Sequence, residues 1–178
     1  MSLPEGYHAA TCGDSLYIRV VGTANMTNAL HLEAFASAEV DRGITQICMD
    51  LSRCNGMDST FMGTMVGLHN RLKRDGGRLV ILNPTETNRK LVDMLGLSRV
   101  MPVLDGEDLP DLTFVPIGQT GTQSFTRRIR RIQQAHRNLV SLSERNRQEF
   151  SAFLASLDKE LADRTATDPD DEGPENEG

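Results

Sequence analysis

The chain has 178 residues, a net charge of −6 and 38% hydrophobic residues, a length that suits one ordinary domain with an extension. Its acidic balance argues against a general nucleic-acid binder, which is normally basic. No apolar run approaches the roughly 20 residues that span a bilayer, so membrane insertion is not expected.

The opening Met-Ser-Leu-Pro-Glu-Gly lacks the charged and apolar regions of a signal peptide. Cys12, Cys48 and Cys54 form no CxxC pair and fit free thiols in a reducing compartment, so a cytoplasmic location is expected.

In chain order, 7–11 (YHAAT) and 16–21 (LYIRVV) read as strands around CGDS, a hairpin turn. A helix is predicted over 27–42, with Met26, Leu30, Ala34 and Ala38 four apart and Gly43 as its C-cap. QICMDL (46–51) reads as a short buried strand. Phe61, Met65, Leu68 and Leu72 then fall on one face of a second helix that stops at Gly76-Gly77. RLVIL (78–82) is the clearest strand. NPTE (83–86) reads as a helix start with Asn83 at the N-cap, Pro84 at N1 and Glu86 at N3. That third helix ends at Gly96, and RVMPV (99–103) reads as a last edge strand, where Pro102 is tolerated. Strands separated by such helices imply a small, mixed, partly parallel β-sheet covered by helices, an α/β fold.

Residues 1–104 therefore form the domain, and 105–121 read as a linker. The stretch 122–164 has neither Gly nor Pro and is predicted as a long helix, with a break point near SLSERN (141–146). The end, 165–178, is acidic, almost without apolar residues, and expected to be disordered.

Enzyme signatures are scarce. There is no GxxxxGK[ST], GxGxxG or HExxH motif, and Ser59 lacks the flanking glycines of a nucleophile elbow. His8, His31, His69 and His136 are scattered, none at metal-ligand spacing. They read as surface or partly buried polar residues. Asp50 and Asp58 admit a paired-carboxylate reading, against the commoner one of a strand end and a helix start. No catalytic residue, metal or cofactor is expected.

The most specific stretch is NGMDSTFMGTM (55–65). Asp58 or Ser59 is placed to be an N-cap. A hydroxyl on that first turn also sits where backbone N–H groups and the helix dipole favour negative charge. A phosphate there adds about −1.5 to −2 charges beside Asp58. It is expected to change the binding face and leave the fold intact.

Residues 44–103 resemble the STAS domain family (sulphate transporter and anti-sigma-factor antagonist). The resemblance is carried by a strand ending in Asp-Leu-Ser, an Asp-Ser opening the next helix, and a Gly within that helix. Gly-Gly before a strand, Asn-Pro before a helix, and Leu-Gly-Leu before a final Pro complete the run. It implies a non-catalytic, partner-binding domain. In anti-sigma-factor antagonists of this type, the serine after the Asp is phosphorylated by an anti-sigma factor that is a kinase. The unphosphorylated form binds that kinase and frees a sigma factor, and a phosphatase resets the cycle. The matching residue is Ser59, with Thr60 the second choice. Asp58, Ser59, Thr60, Phe61, Met62 and Gly63 are the implied partner contacts. Phe61 stands where the family usually has Gly, either as an apolar anchor for a partner or as an inward continuation of the 61/65/68/72 stripe. The alternative function is a non-catalytic STAS subunit or scaffold of a larger complex, such as a transporter ATPase or a stress-signalling assembly.

The extension lies outside the resemblance. Phe125, Ile129, Ile132 and Leu139, then Phe150, Phe153, Leu157 and Leu161, form an apolar stripe that His136, Ser143 and Asn146 interrupt. Such a stripe must pack on its own domain, fold back on itself, or pair with a second chain. Self-association or an added docking surface is expected. The acidic tail opposes nucleic-acid binding through Arg127, Arg128, Arg130 and Arg131.

Overall fold

The computed structural model describes residues 3–118, 121 and 123–167. Of the acidic end expected to be disordered, residues 165–167 continue the last helix, and those from 168 onward lie outside the described residues. Strands β1 (Gly6–Cys12) and β2 (Ser15–Ala24) form the antiparallel hairpin, turning at Gly13, whose φ of +60° suits glycine. Helix α1 (Ala29–Asp41) leads to β3 (Gln46–Met57), helix α2 (Ser59–Arg74) to β4 (Arg78–Leu82), and helix α3 (Glu86–Met94) to β5 (Val103–Leu104). Strands β2 to β5 pair in parallel. A strand β6 (Val115–Pro116), inside the stretch read as a linker, pairs antiparallel with β1. The order among the described residues is β5-β4-β3-β2-β1-β6.

Three local readings change. Strand β3 runs on past QICMDL to Met57, because register shifts between Arg19 and Val21 and between Gly22 and Thr23 let the polar 52–56 stretch stay paired to β2. Helix α3 is capped by Thr85, whose hydroxyl accepts from Asn88 N at 3.3 Å. Asn83, expected at that cap, instead adopts φ +50° and exchanges hydrogen bonds with the Glu107 backbone. Both its donor and its acceptor are thereby used to fasten the segment that follows β5. Residues 97–99 form a 3-10 turn, leaving Val103–Leu104 as all of β5.

The core lies on one face of the sheet. Leu16, Ile18, Ile47, Met49, Leu79 and Ile81 meet Leu32, Phe61, Met65, Leu72 and Val92 from the three helices, all fully or almost fully buried. Each such side chain contributes about 1.5–3 kcal/mol relative to exposure. On the opposite face, Cys48, Val80 and Leu82 pack with Tyr17 and Leu109. Arg19 pairs with buried Asp50 at 2.8 Å and lies 4.3 Å from the Phe114 ring centroid.

The extension folds into two helices, α4 (Phe125–Val140) and α5 (Glu144–Thr167). Ser143 and Asn146 explain the break. The Ser143 hydroxyl accepts from Asn146 N, and the fully buried Asn146 side chain donates to the carbonyls of Leu139 and Leu95. The stripe therefore packs on its own domain and folds back on itself. Leu139 enters the main core, with Leu142 and Phe150 against it, while Ile129 and Ile132 meet Leu157. The stripe's central part thus has intramolecular partners, in the first two of the three arrangements open to it, while self-association or an added docking surface was expected.

Candidate functional site

Asp58 sits in extended backbone immediately before α2 and uses both carboxylate oxygens. Oδ1 accepts from Phe61 N at 2.9 Å, closing the helix start, and Oδ2 accepts from Met26 N at 2.7 Å, tying in the loop ahead of α1. Its own N–H donates to the Ala24 carbonyl at 3.0 Å, which anchors it to the end of β2. Asp58 is thus a cap and a loop clamp, while Asp50 is committed to Arg19. The two carboxylates are engaged in separate contacts, one within the sheet and one at a helix start.

Ser59 follows as the first residue of α2 and is half-buried. Its hydroxyl lies 2.9 Å from Nε2 of His136 on α4. The roles of the two atoms follow from the other side of the ring. His136 Nδ1 is 2.8 Å from the Ile132 carbonyl, which can only accept, so Nδ1 carries the proton. In the neutral ring Nε2 is then the acceptor and the Ser59 hydroxyl the donor. Burial pushes His136 below the ordinary imidazole value, with the Ile132 carbonyl and Asp58 pulling the other way. The ring is further held edge-on by Phe150 and Phe153 of α5, at centroid distances of 5.2 and 4.7 Å.

The residues after Ser59 point away from solvent. Thr60, Phe61 and Met62 are buried, and Phe61 is 0% exposed and stacked on Tyr7 with the rings 8° from parallel. Phe61 therefore continues the core stripe and is not an apolar anchor on the surface. Gly63 lies under α4, where a Cβ would fall 2.1 Å from the Ala135 carbonyl oxygen. Asn138 donates to the Gly63 carbonyl oxygen at 3.1 Å. Thr60, Phe61, Met62 and Gly63 thus offer no open contact surface in this fold. The first turns of α2 are enclosed between the sheet and α4.

Sequence reasoning left His136 as an interruption of the stripe. The available signal was its spacing, since 129, 132, 136 and 139 recur three or four apart and place the imidazole on the buried face. A second signal was Thr-Phe-Met-Gly-Thr-Met-Val (60–66), which has no charged side and suits a helix covered on more than one side. The other histidines lie elsewhere. Buried His69 accepts from Leu79 N, and buried His8 has both ring nitrogens without a hydrogen-bond partner.

A hairpin leading into parallel βαβ units, with helices on the core face and an Asp-Ser pair opening the second helix, defines an α/β domain of the STAS class. The sequence profile of the STAS domain matches residues 8–109, more than half of the chain, and the chain belongs to that family. An anti-sigma F factor antagonist from Lysinibacillus sphaericus is 31% identical over 85 residues, covering 47% of this chain and 73% of its own length. The solved structure of the anti-sigma factor antagonist SpoIIAA in its unphosphorylated form superposes with a TM-score of 0.54 at 24% identity, over 58% of this chain and 90% of that one. The Bacillus cell fate determinant SpoIIAA in the phosphorylated form gives 0.51 at 24% identity, over 58% and 93%. The match to the fold thus holds for both states of that protein. No helix among the described residues is long and apolar enough to cross a membrane.

Proposed function

We propose that this chain is a non-catalytic regulator, an anti-sigma factor antagonist that works by phosphorylation-controlled partner switching, with Ser59 as the phospho-acceptor and Thr60 the second choice. The observation that carries this reading is the Ser59 hydroxyl on the first turn of α2, directly after the capping Asp58, in a STAS domain with antagonists among its relatives. Thr60 is weaker because it is 3% exposed. The partners under this reading are an anti-sigma factor that is also a serine kinase, and a phosphatase that resets Ser59. Added charge at Ser59 disfavours partner binding through like-charge repulsion and desolvation.

The test is affinity purification of the full chain from its native cells, with intact-mass measurement and peptide mapping of the phosphate. The expected result is a fraction carrying one phosphate at Ser59 and a co-purifying anti-sigma factor enriched on the unphosphorylated fraction. Binding by Ser59→Ala and Ser59→Asp to the same extent would reject Ser59 as the switch.

A further inference from the structure

The α2 face that carries Ser59 continues at four-residue spacing through Gly63 and Gly67. Residues four apart share a helix face, and three small residues in that row open a groove in which α4 lies. The approach is close, since a Cβ at Gly67 would also fall 2.6 Å from Asn138 Nδ2. The seam is fastened by His136 to Ser59, Asn138 to the Gly63 carbonyl, and Arg131 to Glu33 of α1 at 3.1 Å.

Transfer of the terminal phosphoryl group of a nucleoside triphosphate to Ser59 forms the Oγ–P bond and breaks the bond to the leaving nucleoside diphosphate. It also releases the hydroxyl proton, which in the docked state is directed at His136. The product carries three acceptor oxygens and nearly two negative charges. It must fit where Oγ already touches Nε2 at 2.9 Å, beside the Asp58 carboxylate. Withdrawing the His136 ring would give up its Nδ1 bond to Ile132 and its edge contacts with Phe150 and Phe153.

We infer that α4 is a built-in competitor that covers the Ser59–Gly63–Gly67 face of α2 against the kinase and partner of the proposed function, an inference that rests on the proposed role of Ser59. Docked, α4 denies the hydroxyl to a kinase and the α2 face to a partner. Released, it exposes both. A phosphate on Ser59 and a docked α4 exclude each other, so phosphorylation also holds the extension off the domain.

The cover is tested in the full chain with Ser59→Cys as an accessibility reporter, alkylated by N-ethylmaleimide and read by peptide mapping. Exposed Cys12 and buried Cys48 and Cys54 are the internal fast and slow standards. The thiol introduced by Ser59→Cys is expected to react about tenfold or more slower than Cys12, as a group reached only by local opening does. Adding Gly63→Ala, whose methyl group collides with Ala135, is expected to bring that introduced thiol close to the Cys12 rate while Cys48 and Cys54 stay slow. A reporter rate equal to that of Cys12 before that change overturns the cover. So does an unchanged slow rate after it. If Cys48 and Cys54 also become fast, the domain has opened, and Ala135→Glu on α4 replaces Gly63→Ala under the same criteria.

The consequence is read separately, as phosphate occupancy of Ser59 in wild-type and Ala135→Glu chains purified from native cells. Several-fold higher occupancy in the variant is expected, and equal, non-zero occupancy overturns the competition. With no phosphate on either chain but the alkylation difference intact, the cover stands and the phospho-acceptor role of Ser59 fails.

Discussion

Ser59 Oγ and His136 Nε2 are 77 residues apart in sequence and 2.9 Å apart in the fold, joined by a bond in which the hydroxyl donates. This pairing changes what a substitution at Ser59 does. Ser59→Ala removes the donor that buried His136 Nε2 has among the described residues, and an acceptor left unsatisfied costs about 1–3 kcal/mol. The variant is therefore expected to unfold at lower urea concentration than wild type, although a phosphate on an isolated STAS surface would be expected to leave the fold intact. Unchanged stability would mean that His136 finds water or another donor once the hydroxyl is gone.

Phe61 gives the sharpest stability expectation. It is wholly buried and stacked on Tyr7, whose hydroxyl donates to Asn28 at 2.6 Å. Phe61→Ala is expected to destabilise the domain by about 3–5 kcal/mol through lost burial and the cavity left behind. Phe61→Gly, the residue usual at this point in the family, adds about 1 kcal/mol of helix penalty. Urea unfolding checks both, and a loss under about 1 kcal/mol would return Phe61 to the surface.

Asp58 is expected to matter more than a single cap. Removing its carboxylate leaves Phe61 N and Met26 N without their acceptor at once. A cap alone is worth about 0.5–2 kcal/mol, so Asp58→Ala should fall at or beyond the top of that range. Asp58→Asn keeps one side-chain oxygen and should lose less. Equal losses in the two variants would show that Asp58 contributes through what both variants lack, the charge beside the helix dipole and the second hydrogen bond, and not through the one hydrogen bond that Asn keeps.

The domain was legible because its signals are local. The β-branched RLVIL maps onto β4 residue for residue, and spacing narrowed the α2 cap to Asp58 or Ser59, of which the fold uses Asp58. What was missed depends on partners distant in sequence. Asn83 looks like a cap until Glu107 offers it two hydrogen bonds. Val115–Pro116 carries too little pattern to be read as a strand and becomes one only because β1 has a free edge. Ser59 was legible as a candidate, but its cover was not. That cover depends on a helix whose polar residues, His136 and Asn146, looked like defects in a stripe and prove to be its fastenings.

Acid should weaken this fold before its carboxylates titrate. His8, His69 and His136 are buried, and in each case burial is the largest cause holding the imidazole below its ordinary value of 6.5. Arg19 adds to the effect at His8 and Lys73 at His69. In the unfolded chain the same side chains take up protons near about 6.5. The native pKa is depressed, so the unfolded state binds more protons as pH falls through about 6.5, and stability declines with it. The contribution is fully present above the unfolded value and is lost as pH drops toward the lower native values. His69 is the one to isolate, because its Nδ1 accepts from Leu79 N and protonation destroys that acceptor. His69→Gln retains an oxygen that can accept from the same amide and has no proton to gain. The urea midpoint of wild type is expected to fall between about pH 7.5 and about pH 5.5, and that of His69→Gln to fall less. Equal declines would assign the acid sensitivity to His8 and His136, and a midpoint that rises on acidification would contradict the neutral, buried state of all three.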